Sequence, residues 1–354
     1  MATLNIVLLP GDGVGPEVCH SAVRVLERIA SRYQHDLEIE EQLIGYVAWE
    51  AAGSPLPEAT LTACLNADAA LLGAVGDPRA NELTPLDRPE GGLLALRKAL
   101  GAYANLRPAK VDPSLVSSSA LKPELASSVD FVIVRELTGG IYYGESGVVE
   151  GGAAAFDTMK YSVAEIERLA RVGFDVARTR RSAVTSIDKA NVLEVSRLWR
   201  STVESVAVDY PDVTVNHMFV DRAAMELVLA PSQFDVILTG NMFGDILSDE
   251  AAAVCGTLGV LGSACIGGEV GLYEPVHGSA PDIAGKDLAN PIGVLVSTSM
   301  MLRHSFGLHT EADAIDRAIS QVLADGLRTA DTASPGESSL GTRAFTDAIV
   351  EALS

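Results

Sequence analysis

A chain of 354 residues, 48% hydrophobic and 21% charged, has material for about two packed domains, and this composition excludes a disordered protein. The formal net charge of -21 and the lack of any basic run exclude nucleic acid and anionic membrane surfaces as partners. An anionic ligand therefore needs a local cluster of arginine, lysine or metal.

The opening MATLNIVLLPGDG lacks a basic n-region and a long apolar core, so it reads as a first strand over 4–9 and not as a signal peptide. GDGVGPE is a turn, and Val18, Ala22, Val25 and Ile29 at helical spacing predict a helix over 17–33. A strand over 37–42, a helix over 57–67 and a buried strand over 69–74 follow. A helix over 90–100 leads through NLRPAKV to a strand at 131–136. The stretch TGGIYYGESGVVEGG is rich in glycine without core periodicity and predicts a projecting hairpin or arm over about 138–158.

Helices over 162–179 and 193–209 flank a strand at 183–187, a strand at 213–219 precedes a helix at 221–230, and an apolar strand ends at Leu238. LYEPVHGSAPDIAGKDLANP reads as one long loop before helices at 292–304, 310–325 and 342–353. The alternation of strand and helix predicts a mostly parallel sheet covered by helices. The charge-free run over 251–268 reaches spanning length, but its glycines and scarcity of large apolar residues predict a buried helix end followed by a turn. Cys19, Cys64, Cys255 and Cys265 are scattered without CxxC pairs, which indicates neither zinc nor disulfides and fits a reducing, cytoplasmic setting.

Chemistry concentrates in TGNMFGDILSDE, residues 239–250. Asp245 and Asp249, one helical turn apart, share a helix face. Two hard oxygen ligands there suit Mg2+ or Mn2+, although spacing alone favours a solvated acidic face. Glycines 11, 13 and 15 form GxGxGP rather than GxGxxG, so a dinucleotide fingerprint is rejected in favour of a tight strand-to-helix turn near a ligand. Glu90, Leu93 and Arg97 fall on one helix face. With Arg107 and Arg135 at element ends, three guanidiniums can converge on carboxylates by forked hydrogen bonds, while each alone reads as a surface ion pair.

Tyr142 lies on the Gly-rich arm, and Lys189 follows a strand beside Asn191 and Val192. A lysine partly desolvated near a metal has a lowered pKa and can accept a proton. Asp221 is a third metal carboxylate or a helix cap. His277 in HGSAP is flanked by small residues that let a ligand approach the backbone, and Asp282 suits ribose hydroxyls and repels a 2'-phosphate, which favours NAD over NADP. An ordinary surface loop is the alternative there.

LLPGDGVGPE, GLLALRK, NLRPAK, IVRELTGGIYYGE, SIDKANVLE, TGNMFGDILSDE, EPVHGSAPDIAGK and ANP, in unchanged order from Leu4 to the last helix, resemble the isocitrate/isopropylmalate dehydrogenase family of beta-decarboxylating dehydrogenases. The resemblance implies two open α/β domains with an active-site cleft between them, the first made of residues 1–102 and 256–354, the second of 103–255. It implies oxidation of (2R,3S)-3-isopropylmalate by NAD and loss of CO2 to give 2-oxoisocaproate, the precursor of leucine. A relative acting on D-malate, tartrate or homoisocitrate is the runner-up, and a non-catalytic dicarboxylate-binding protein is the reading from a different class.

By resemblance, Arg97, Arg107 and Arg135 match the residues that bind the malate carboxylates, and Asp245 and Asp249 those that hold Mg2+ or Mn2+. Asp221 of the partner subunit is similar to the third metal carboxylate, which makes the site shared within a homodimer. The partner's Lys189 matches the base that takes the hydroxyl proton, and Tyr142 the acid that protonates the enolate carbon. Glu90, Leu93, Leu94 and Val192 fall on the substrate side, the last three as an apolar surface for an isopropyl group. Val14, His277, Gly278, Ser279, Ala280, Asp282, Ile283 and Asn290 fall where the family binds NAD. The charge-free segment over 251–255 is then expected beside helices of the dimer interface. One departure is DPRANELTPLDRPE, which lacks the Trp-Asp pair common after its Pro at the mouth of the cleft.

Overall fold

The computed structural model describes residues Met1–Ser354, which divide into two compact units. The first comprises Met1–Ala102, Asp112–Ser119 and Gly256–Ser354, the second Tyr103–Val111 and Ala120–Cys255. In chain order the first unit begins with β1 (Thr3–Gly11), α1 (Gly15–Tyr33), β2 (Asp36–Glu41), α2 (Tyr46–Ala52), α3 (Glu58–Asn66), β3 (Ala69–Ala74) and α4 (Pro89–Ala99). The second unit carries β4 (Ala104–Lys110), α5 (Pro123–Ala126), β5 (Asp130–Glu136), β6 (Ser146–Val149), β7 (Ala154–Asp157), α6 (Val163–Arg178), β8 (Ala183–Asp188), α7 (Glu194–Ala207), β9 (Thr214–Phe219), α8 (Val220–Leu229), β10 (Val236–Thr239) and α9 (Asn241–Cys255). The chain completes the first unit with β11 (Gly262–Ile266), β12 (Gly271–Pro275), α10 (Ile292–His304), α11 (His309–Ala324) and α12 (Thr342–Ala352).

In the first unit the strands run in the order β2-β1-β3-β12-β11. β3, AALLGA, is buried at every position, as a central parallel strand covered on both faces must be. β2 alternates half-buried Leu37 and Ile39 with exposed acids, a charged edge that resists pairing with another chain. Helix α1 buries Val18, Ala22, Val25, Leu26 and Ile29 against this sheet, and Gln34 in the left-handed conformation ends it. In the second unit the order is β4-β5-β10-β8-β9, antiparallel only at β4/β5. Its core gathers Phe131, Ile133, Val184, Ile237 and Leu238 with Leu169, Phe174 and Trp199. Ser162 and Glu165 form a reciprocal cap at the start of α6.

Two expectations from the sequence need correction. The turn after α9 and the beginning of the long loop are the antiparallel strands β11 and β12, both short, glycine-flanked and almost wholly buried, so they show no alternation to read. NLRPAK is itself a strand, β4. The helix end expected over 251–255 is buried at Ala251, Ala252, Val254 and Cys255, each at most 3% exposed, with Ala253 exposed. The apolar side chains left open on the two neighbouring helices include Ile246 of α9 and Met225, Val228 and Leu229 of α8. The predicted arm is the β6/β7 hairpin, with Val148, Val149 and Phe156 exposed. No helix is long and apolar enough to cross a membrane.

Candidate active site

In the second unit, β10 delivers the chain to α9, and Asp245 and Asp249 share the expected face. Arg107 on β4 has Nη1 4.0 Å from Asp245 Oδ1 and 3.9 Å from Asp249 Oδ1. Its orientation is fixed by donation to Asn105 Oδ1 (2.7 Å) and Ser248 Oγ (2.6 Å). Arg135, at the end of β5 and 3% exposed, donates Nε and Nη2 to Asn241 Oδ1 (3.0 and 2.8 Å) and Nη1 to Asp245. A Cβ at Gly244 would lie 2.6 Å from Arg135 Cγ, so the glycine of MFGD lets this arginine pass against α9. Buried guanidiniums are tolerated only with such pairing.

The Tyr142 hydroxyl donates to Asp245 Oδ2 at 2.9 Å. Burial first, then the Asp245 hydrogen bond and charge, raise its pKa, so the phenol keeps its proton at neutral pH. Asp245 is thus held by Arg135 and Tyr142, with Arg107 alongside.

Lys189 stands apart from this cluster. Asp188 at the end of β8, 1% exposed, accepts a fork from Arg200 (2.9 and 2.9 Å) and the Ala190 N–H (2.9 Å), which fixes the turn that presents Lys189. Its Nζ donates to Asp221 Oδ1 at 2.6 Å, and that hydrogen bond lowers the Asp221 pKa. Asp221 is not a helix cap, since Phe219 occupies the cap position of α8. No hydrogen bond or ion pair joins either residue to Asp245 or Asp249, and no three His, Cys, Asp or Glu side chains of one chain gather to hold a metal. Asp245 and Asp249 have the hard-oxygen chemistry that suits Mg2+ or Mn2+, and any third carboxylate has to come from outside this set.

In the first unit, Arg97 on α4 pairs through Nη2 with Glu274 Oε1 of β12 at 2.5 Å, both side chains about one-tenth exposed. On the same helix Leu93 is buried, Leu94 half-buried and Glu90 exposed. Val192, in the second unit, is 62% exposed. The GDG turn meets HGSAP through the Val14 N–H, which donates to Ser279 O at 2.8 Å. Gly13 has φ +58°, and a Cβ there would lie 1.9 Å from the same oxygen, so the spacing of the glycines serves backbone approach. Asp12, buried, accepts the N–H groups of Tyr46 (2.9 Å), Val47 (3.0 Å) and Gly76 (2.8 Å).

His277 Nδ1 donates to Gly278 O at 2.9 Å, and since a carbonyl only accepts, the proton sits on Nδ1. Its Nε2 is buried with no partner, and burial lowers the imidazole pKa. A neutral ring with an unpaired acceptor, next to an open Gly278, fits a heteroaromatic group bearing an N–H donor, as the base of a dinucleotide does. Ser279 is buried, Ala280 has φ +38°, Asp282 is exposed and Ile283 half-buried. The Asn290 side chain is already engaged by Asp331 (3.1 Å) and the Ile292 N–H (3.0 Å).

Residues 5–349 match the sequence profile of the isocitrate/isopropylmalate dehydrogenases. The chain belongs to the isocitrate/isopropylmalate dehydrogenase family. The 3-isopropylmalate dehydrogenase of Geobacillus kaustophilus is 55% identical over 357 residues, covering 100% of this chain and 96% of that protein. That of Nitratidesulfovibrio vulgaris is 53% identical over 353 residues, covering 98% and 99%. Among solved structures, the isocitrate dehydrogenase of Methylococcus capsulatus superposes with a TM-score of 0.89 at 37% identity, covering 100% of this chain and 99% of the other. A beta-decarboxylating dehydrogenase of Thermococcus kodakarensis gives 0.81 at 35% identity, covering 100% and 96%. Within this family fold, sequence reading overlooked Asn241, Glu274 and Asp12. Asn241 and Glu274 stand inside motifs already singled out, and a polar residue at a strand-to-helix junction was the available signal for Asn241. Asp12 carried no signal beyond its place between two glycines.

Proposed function

We propose that the protein oxidises (2R,3S)-3-isopropylmalate with NAD and decarboxylates the product to 2-oxoisocaproate, in leucine biosynthesis. The observation that carries this reading is the single hydrogen-bonded set Tyr142–Asp245–Arg135, with Arg107 and Asp249 alongside. It combines a proton donor, a pair of hard-oxygen ligands and two guanidiniums, and mere capture of a dicarboxylate does not require the first two. Full-length similarity to proteins named 3-isopropylmalate dehydrogenase supports the choice of acid. The apolar Leu93 and half-buried Leu94 agree with an isopropyl group where a carboxylate would be unfavourable.

In this reading Arg97, Arg107 and Arg135 bind the two carboxylates, and Asp245 and Asp249 hold Mg2+ or Mn2+ together with Asp221 of the partner subunit. When bound, the divalent ion would supply positive charge that stabilises a developing oxyanion, and NAD would supply a hydride acceptor. The partner's Lys189 takes the hydroxyl proton during oxidation. As CO2 leaves, the electrons of the broken C–C bond pass to an enolate, and Tyr142, kept protonated by its surroundings, donates its proton to the carbon. Val14, the HGSAP residues 277–280, Asp282, Ile283 and Asn290 hold the NAD.

A homodimer is part of the proposal. Within one chain the Lys189–Asp221 pair is separate from the Asp245 cluster, and exposed Met225, Val228, Leu229 and Ile246 supply an apolar surface for a second copy. The test is turnover of isopropylmalate against D-malate, with NADH and released CO2 followed together. Higher kcat/KM for isopropylmalate with one CO2 per NADH is expected. Preference for D-malate would overturn the substrate, and NADH without CO2 would overturn the chemistry.

A further inference from the structure

Asn241 opens α9, is 1% exposed, and uses every polar atom of its side chain on a part of the candidate site. Its Oδ1 accepts two hydrogen bonds from Arg135, and its Nδ2 donates to Gly139 O at 3.0 Å. The amide has one workable orientation, because reversal would face N–H against N–H on one side and oxygen against oxygen on the other. Its own backbone N–H donates to Tyr161 Oη at 2.8 Å, and Tyr161 is hydrogen bonded to the fully buried Glu136. Glu136 in turn accepts the N–H of Gly139 at 2.8 Å. Gly139 is therefore gripped at both its N–H and its carbonyl.

Directly after Gly139 the chain enters the 3-10 turn Gly140–Tyr142. Gly140 has φ +75°, and a Cβ on it would lie 2.2 Å from Tyr161 Oη, so the turn presses against the same network. Arg135 meets the network from the other side: two of its donors end on Asn241, which sets the plane of the guanidinium, and Nη1 donates to Asp245.

We propose that Asn241 is a positioning residue that couples the Arg135 guanidinium plane to the anchor of the turn carrying Tyr142. The inference rests on the function proposed above, in which Arg135 binds substrate and Tyr142 delivers the proton. Its two halves separate by chemistry. An aspartate at 241 keeps an acceptor for Arg135 but faces the Gly139 carbonyl with oxygen, so only the Tyr142 turn is loosened. A leucine of similar shape removes both contacts.

The test uses the purified full chain, with isopropylmalate affinity from calorimetry, turnover from NADH formation, and the solvent deuterium isotope effect on kcat. For Asn241→Asp the dissociation constant stays within about threefold of the parent, while kcat falls about tenfold to a hundredfold, as loss of a buried hydrogen bond at a catalytic group predicts. The isotope effect rises, because proton delivery becomes slower than the preceding steps. For Asn241→Leu the dissociation constant also rises about tenfold or more. An aspartate variant with parental kcat and isotope effect overturns the coupling to Tyr142, and a folded leucine variant with parental affinity overturns the coupling to Arg135. Should the leucine variant fail to fold, Asn241→Ala, which also removes both contacts, decides the Arg135 half in its place. If the parent binds the acid but produces no NADH, the proposed function fails, and the comparison of affinities still decides the Arg135 half.

Discussion

In the second unit the candidate chemistry rests on charged side chains that neutralise one another, whereas in the first, beside the Arg97–Glu274 pair, it rests on backbone groups that glycine brings close. Arg107, Arg135, Asp245 and Asp249 form a compact set whose members are each held by a named partner. The Val14–Ser279 contact, the Asp12 carboxylate on three N–H groups and the glycine at 13 are instead backbone geometry. The difference teaches which substitutions matter. A charged cluster fails when one charge is removed, because the partner is left buried and unpaired, while a backbone cradle fails when a Cβ is added.

The largest effect is expected on the charged side. Asp245→Asn removes the charge proposed to hold the metal and one of the two oxygens that accept from Arg135 and Tyr142, and metal-dependent kcat should fall more than about a hundredfold. Size-exclusion chromatography should return the same oligomer as the parent, and loss of assembly would mean the residue is structural. Next, Tyr142→Phe should lower kcat about a hundredfold or more with little change in the KM for the acid; a parallel rise in KM would move Tyr142 from proton delivery to binding.

On the backbone side, Gly13→Ala sets a Cβ against Ser279 O, so the turn must shift. The KM for NAD should rise about tenfold with the KM for the acid near its parental value, and equal changes in both would erase the contrast between the two units. Leu93→Ser should cost isopropylmalate about tenfold more kcat/KM than D-malate, and equal losses would count against an isopropyl contact.

The smallest effect is a pH slope. Burial holds the His277 pKa below 6.5 in the fold, so the unfolded chain takes up a proton first as the pH falls. The associated stability is present above 6.5 and is lost as the pH drops toward the folded value. Thermal midpoints between about pH 5 and about 7.5 should therefore fall less steeply for His277→Gln than for the parent. Identical slopes would remove the neutral buried imidazole from the account.

Much of the charged cluster was legible because helix geometry is local: Asp245 and Asp249 four residues apart had to share a face. Their partners were not, since nothing in NLRPAK or FVIVRE announces that Arg107 meets Ser248 or that Arg135 meets Asn241. The strands were read where burial alternates or runs long, as at β1 and β3. They were missed at β11 and β12, where short glycine-flanked pieces are buried on all sides. Helix α2 was missed because its first turn is held by Asp12, 34 residues earlier in the chain. The glycines at 11 and 13 were correctly refused a GxGxxG meaning, and the reason is their contact with the carbonyls of Ala74 and Ser279, which only tertiary structure supplies.

The most direct measurement is NADH absorbance with isopropylmalate and NAD as the divalent ion is removed and restored. The account predicts NADH formation with Mg2+ or Mn2+, its loss on chelation with EDTA, and full recovery when the ion is returned. A rate unaffected by EDTA, or no NADH with either ion, would contradict metal-assisted oxidation at the Asp245 cluster.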